Sequence, residues 1–181
     1  MSGPSYEVPP LSLMNIMGSS SGIRDYFKMP DGSFPIIQIL EWVLPEVIPG
    51  FEFIQGTKAE MGANHGLTIP SQKQIWLRED VYDRAADGHG RDRFTAAHEL
   101  GHLLLHGSIS LAFHRSSQGL PKYRCSEWQA DSFAGTLLMP LEGVKKCTSV
   151  AEIAQIYRVS VKAAETQNSI YSQKGLMIKL P

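Results

Sequence analysis

Apolar residues recur along the chain at two different spacings, and the change of spacing divides it into elements. Ile36, Ile37, Ile39, Leu40, Val43 and Leu44 make one broad apolar face at helical spacing. Ser33 can cap that helix and Pro35 suits its first turn, while Pro45 and Pro49 are expected to end it. Three short strands are then predicted: Phe51 to Gln55, which alternates apolar with polar, Gly66 to Ile69, and Gln74 to Leu77, bounded by a Pro-Ser turn. Helical spacing returns from about Asp92 to His106, with Gly107 placed to terminate it. A second helix is predicted over Ser126 to Met139, stopped by Pro140, and two more near Val150–Tyr157 and Val161–Ser172. The stretch Leu176 to Leu180 reads as a final strand.

The beginning of the chain is less regular. A Gly-Ser run from Gly18 to Gly22 weakens any helix passing through it, so a loosely held helix is expected on either side, and Pro30-Asp31-Gly32 signals a turn. Strands followed by helices in this order predict an α+β fold, a small three-stranded sheet beside a helical cluster. The division expected is an N-terminal extension (1–33), a core (34–148) and a C-terminal helical pair (149–181).

Composition changes this picture little. The 181 residues suit one compact domain, and 43% hydrophobic with 19% charged residues is an ordinary globular balance. Seventeen basic against eighteen acidic side chains leave a net charge of −1, which offers no broad attraction to nucleic acid or to a membrane. No apolar run approaches the roughly 20 residues that span a bilayer. Met1 to Pro10 lacks a basic start and an apolar signal core, so no export and a cytoplasmic location are expected. Cys125 and Cys147 fit no metal or redox spacing and read as reduced structural thiols.

The chemistry is concentrated in Phe94-Thr95-Ala96-Ala97-His98-Glu99-Leu100-Gly101-His102-Leu103-Leu104-Leu105-His106. Residues four apart on a helix share a face, so His98 and His102 can converge on one ion, and zinc accepts imidazole nitrogen. Glu99, rotated about 100° from His98, can face a water beside that ion and accept its proton without being a ligand. Two ordinary histidines on a buried helix would show the same letters, but burying them with a glutamate in so apolar a run is costly without a purpose. Gly101 costs the helix about 1 kcal/mol relative to Ala, and close packing is one compensation.

A catalytic zinc needs a third protein ligand. A glycine and a third histidine three and six residues after His102 would supply one pattern, but Leu105 and Ser108 stand there. His106 shares the face but lies about 12 Å along the axis from His98, which suits packing or support of a ligand better than ligation. The better candidate is Glu127, with Asp131 one turn later to accept the free ring N–H of a ligating histidine. An acid favoured by a helix N-terminus is the alternative reading of Glu127.

With Glu127-Trp128-Gln129-Ala130-Asp131-Ser132-Phe133-Ala134 through Leu137-Leu138-Met139-Pro140 following Arg93 to His106, the sequence resembles the ImmA/IrrE family of bacterial metallopeptidases. The resemblance runs, more faintly, from about Phe34 to Ser172 and includes the acidic segment Leu77 to Tyr82. It implies a zincin-like core of gluzincin type, with zinc held by His98, His102 and Glu127, Glu99 as general base and Asp131 as supporting acid. It also implies an endopeptidase acting on a specific protein, with helix-turn-helix repressors among the family's substrates. The larger members carry a C-terminal sensor-like domain, which is not expected in a chain of 181 residues.

Gly66 to Ile69 could be an open sheet edge that pairs with an extended substrate, or an unremarkable edge. His114, Tyr123 and Arg124 are the candidates near the motif for stabilising an oxyanion, with no basis for choosing among them. Val150 to Ala164 looks like a helix-turn-helix, with Gln167 and Asn168 placed to read bases. Lys162 and Lys174 are offset by Glu152 and Glu165, however, so direct nucleic-acid binding is not expected. The rival functions are a repressor-binding protein with little proteolysis and a DNA-binding regulator with a structural zinc. Trp128 and the Leu120-Pro121 loop, read as exposed, could border a partner surface, with core packing the default.

Overall fold

A computed structural model describes residues 5–107 and 121–181. The chain forms an α+β fold whose three-stranded sheet has the order β1-β3-β2. Helix α1 is Leu13–Tyr26, opened by a capping box between Ser12 and Asn15. It runs unbroken through the Gly-Ser segment, contrary to the two loose helices expected on either side. The side chain of Ser20 explains this: buried, it donates to Thr136 Oγ1 at 2.9 Å and so replaces solvent with a fixed partner. Arg24, also buried, donates to the carbonyls of Leu137 and Gly32 at 2.6 and 2.7 Å. Tertiary contacts therefore offset the poor helix propensity of the run.

Helix α2 (Ile36–Gln38) passes through a π turn, Ile39–Val43, into α3 (Leu44–Val47). Pro45 does not end this segment as expected. The Leu44 N–H bonds to the Ile39 carbonyl, five residues back, and this wider turn accommodates a proline that has no N–H to offer. Its apolar face buries Ile36, Ile37, Ile39, Leu40 and Leu44 as the spacing requires.

Strand β1 (Glu52–Gly56) leads to α4 (Lys58–Met61), whose Thr57 and Glu60 form a capping box absent from the sequence reading. Strand β2 (Gly66–Ile69) pairs antiparallel with β3 (Gln74–Arg78), which pairs parallel with β1. Period-two alternation turns Ile75 and Leu77 of β3 into the core. Helix α5 (Glu79–Ala86) occupies the acidic segment and precedes the long α6 (Gly90–His106). Beyond the undescribed stretch come α7 (Ser126–Leu138), α8 (Leu141–Val144), α9 (Val150–Tyr157) and α10 (Val161–Gln173).

α6 is the centre of the molecule, between the sheet and α7. Gly101 allows the contact with α7: a Cβ there would lie 3.1–3.2 Å from Phe133 and the Ala130 backbone. The cost of glycine in mid-helix is thus matched by close packing. Arg93, buried, donates to the carbonyls of Phe34 and Arg158 and so ties α6 to both flanking segments.

The stretch Leu176 to Leu180 is not a strand. The Asn168 amide takes the place of a sheet partner, donating to Leu180 O and accepting from Leu180 N at 3.0 and 3.1 Å. Asn168 and Gln167 are 1% and 4% exposed, so neither amide is presented to a nucleic acid as the helix-turn-helix reading required. Among the described residues no helix is long and apolar enough to cross a membrane.

Candidate metal centre

His98 and His102 lie on α6 where four-residue spacing brings their rings together, with Nε2 atoms 3.0 Å apart. Glu127, in the first turn of α7, reaches across: Oε1 is 3.2 Å from His102 Nε2 and Oε2 is 3.5 Å from His98 Nε2. Bonds of 2.0–2.2 Å to one tetrahedral ion put ligand atoms about 3.3–3.5 Å apart, so these three side chains fit a divalent metal of zinc's size. Two features of the donor set agree. Glu127 Oε2 is buried without a hydrogen-bond partner among the described residues, and two imidazole nitrogens face each other at a distance that leaves no room for two protons. His98, His102 and Glu127 together could hold a metal ion.

Each histidine is held from behind. His98 Nδ1 lies 2.8 Å from Asp131 Oδ1, so the ring donates to the carboxylate and turns its Nε2 lone pair towards the centre. His102 Nδ1 lies 3.2 Å from His106 Nδ1, whose Nε2 is 3.1 Å from Gln129 Oε1. His106 therefore points away from the cluster of ligand atoms and into a buried contact.

Glu99 projects from α6 on the side of the sheet. Thr68 of β2 places its hydroxyl 2.7 Å from Glu99 Oε2 and 2.9 Å from the Glu99 carbonyl. Gly66 makes room for that approach, since a Cβ there would lie 2.6 Å from Glu99 Oε1. Burial raises the Glu99 carboxyl above the ordinary glutamate value, against the lowering influence of His98 and Thr68. Burial also opposes the charge on Glu127, yet the two histidines hold that carboxyl down at about 2. For His98 burial works against the proton, but Asp131 and Glu127 outweigh it and raise the ring to about 10. In the metal-free protein a cation is thus strongly favoured among these acids, and a metal must displace that proton.

These groups line one cleft of about 1390 Å³, bordered by β2 residues Gly66 to Ile69 on one side and by Lys162, Thr166 and Ile170 of α10 on another. Trp128 is half-buried at the edge of this cleft and packed against the core, the default of its two sequence readings, while Leu120 lies outside the described residues. Of the oxyanion candidates, His114 lies outside the described residues. Tyr123 and Arg124 do not line the cleft, and Arg124 pairs with Glu7 at 2.9 Å. Thr68, Gly66 and Gln129 escaped the sequence reading. Gln129 alone left a signal, a polar residue on the apolar face of α7.

Residues 55–167, more than half of the chain, match the family model of a peptidase family described as the IrrE N-terminal-like domain. The chain belongs to that family. The IrrE N-terminal-like match takes in the whole sheet apart from the start of β1, all of α6 and α7, and every side chain of the cluster. α1 and the segment from Ser5 to Ser12 lie outside it. No curated protein matches the chain.

Proposed function

We propose that this IrrE-like peptidase is a zinc-dependent endopeptidase with a zincin-like core of gluzincin type, in which His98, His102 and Glu127 hold the metal and Glu99 is the general base. The observation that carries the reading is the spacing of 3.0–3.5 Å among three ligand atoms, with the Glu99 carboxylate, not a fourth ligand, anchored beside them on Thr68. A structural site has no use for such a base. When bound, zinc supplies Lewis acidity that polarises a carbonyl and makes water more acidic. Glu99 accepts a proton from the attacking water and returns it to the leaving amine, work for which a raised carboxyl pKa is suited. Among the described residues β2 has no strand on its outer side, so its edge is available to pair with an extended substrate backbone beside the centre. The substrate proposed is a specific cytoplasmic protein, a helix-turn-helix repressor in keeping with the family resemblance.

The test is to incubate zinc-loaded protein with a peptide library and with candidate repressors, reading new termini by mass spectrometry. Wild type is expected to produce them. Glu99→Gln should keep its zinc yet lose at least about a hundredfold in rate, the scale of general-base catalysis. Wild type that is loaded with zinc but yields no more new termini than Glu127→Ala would overturn the peptidase reading. Repressors left intact while peptides are cut would overturn the substrate alone.

A further inference from the structure

The two proposed histidine ligands are supported by different chemistry. Asp131, which orients His98, is a carboxylate whose side chain is 54% exposed. Behind His102 stands a neutral, buried chain of groups with a defined direction. Gln129 donates from Nε2 to two backbone carbonyls, Pro9 O and Tyr123 O, both at 2.8 Å. Two acceptors on the nitrogen fix which end of the amide is which, so Oε1 must face His106 Nε2 at 3.1 Å. An amide oxygen only accepts, so His106 carries its proton on Nε2 and a lone pair on Nδ1. That lone pair meets His102 Nδ1 at 3.2 Å and requires the proton there. His102 Nε2 is left bare, facing His98 and Glu127.

The carbonyl of Pro9 belongs to a segment that lies along the start of α7. Val8 N donates to Arg124 O, Leu11 N to Tyr123 O and Ser126 N to Tyr6 O, at 2.9–3.0 Å. Glu7 pairs with Arg124, and Val8 is buried. Residues Tyr6 to Leu11 and Lys122 to Arg124 thus form the frame that holds the Gln129 amide from two sides.

We propose that Gln129 is a positioning residue for the metal site: anchored by the carbonyls of Pro9 and Tyr123, it sets the proton on His106 and through it the tautomer of His102 that can bind metal. This rests on the reading of His98, His102 and Glu127 as a metal site. It assigns a function to His106 and to a segment outside the matched family domain. Hydrogen-bonded supports of this kind are worth about 10–100-fold in metal affinity.

Two measurements decide it. In zinc-loaded wild type, nitrogen-15 NMR of the histidine rings should find His106 protonated on Nε2 only and His102 on Nδ1. A proton on His106 Nδ1 would overturn the proposal without any variant. Chelator competition should then show Gln129→Met, similar in shape but unable to hydrogen-bond, binding zinc 10–100-fold more weakly than wild type. A residue that only packs would give equal affinity in wild type and Gln129→Met, and that result overturns the relay while leaving the metal site standing. Wild type with no measurable zinc affinity would overturn the site and the relay together.

Discussion

Gly66 determines how close β2 can come to Glu99. Its missing Cβ would sit 2.6–2.9 Å from three atoms of the Glu99 side chain, so even alanine forces the carboxylate to move. The same strand carries Thr68, which holds that carboxylate. Gly66→Ala should therefore lower the peptidase rate at least tenfold while zinc affinity and thermal stability stay near wild type, measured by turnover, chelator competition and melting. Unchanged turnover would mean that Glu99 does not act from the position described. None of this was legible in the sequence. That His98 and His102 share a face was legible because helical periodicity converts spacing into direction, whereas Glu127, on another helix, came forward through the family resemblance. The partners on β2 meet α6 only through the fold, and a Gly or Thr in a four-residue strand carries no signal of what lies across from it.

Among the elements, α6 and α7 form the contact on which the centre depends, since they supply the proposed ligands from opposite sides. Their approach is limited by Gly101, where a Cβ meets Phe133 and the Ala130 backbone at 3.1–3.2 Å. Gly101→Val adds two further methyl groups at that seam. It should cost about 1–3 kcal/mol as overpacking, more than its better helix propensity returns, and should weaken zinc binding as the helices part. A melting temperature of the metal-free variant equal to or above that of wild type would contradict this. The sequence showed these two helices within a residue or two because each has a long apolar pattern and a clear stop. It failed where local preference was overridden. α1 crosses a Gly-Ser run because Ser20 and Arg24 find buried partners on α7, and the turn at Pro45 widens instead of ending. The short α4 was missed for a different reason: its Thr57–Glu60 capping box was present but preceded no apolar run long enough to be noticed.

At the scale of the whole molecule, one ionic network joins the sheet to the helix that carries His98 and His102. Arg78 at the end of β3 pairs with Asp80 of α5 at 2.6 Å, Asp80 with Arg84 at 3.1 Å, and Arg84 with Asp92 of α6 at 2.9 Å. The hydrogen bond from Arg78, aided by Arg84, holds the Asp80 carboxyl well below the usual aspartate range despite some burial. A carboxyl whose folded pKa lies below its unfolded one contributes stability above the unfolded value and loses it as the pH falls through the folded value. Metal-free Asp80→Asn should thus melt a few degrees below wild type at neutral pH. The gap should narrow as the pH falls below about 3.9, the ordinary aspartate value. A gap independent of pH would show that the network contributes through shape alone. The layered arrangement has one more consequence. Glu99 is tethered to the sheet through Thr68, whereas Asp131, which holds His98, and Gln129, which reaches His102 through His106, reside on α7. A map of impaired variants would accordingly separate into two territories on either side of α6, one in which protein keeps its zinc but works slowly and another in which it works only when zinc is abundant.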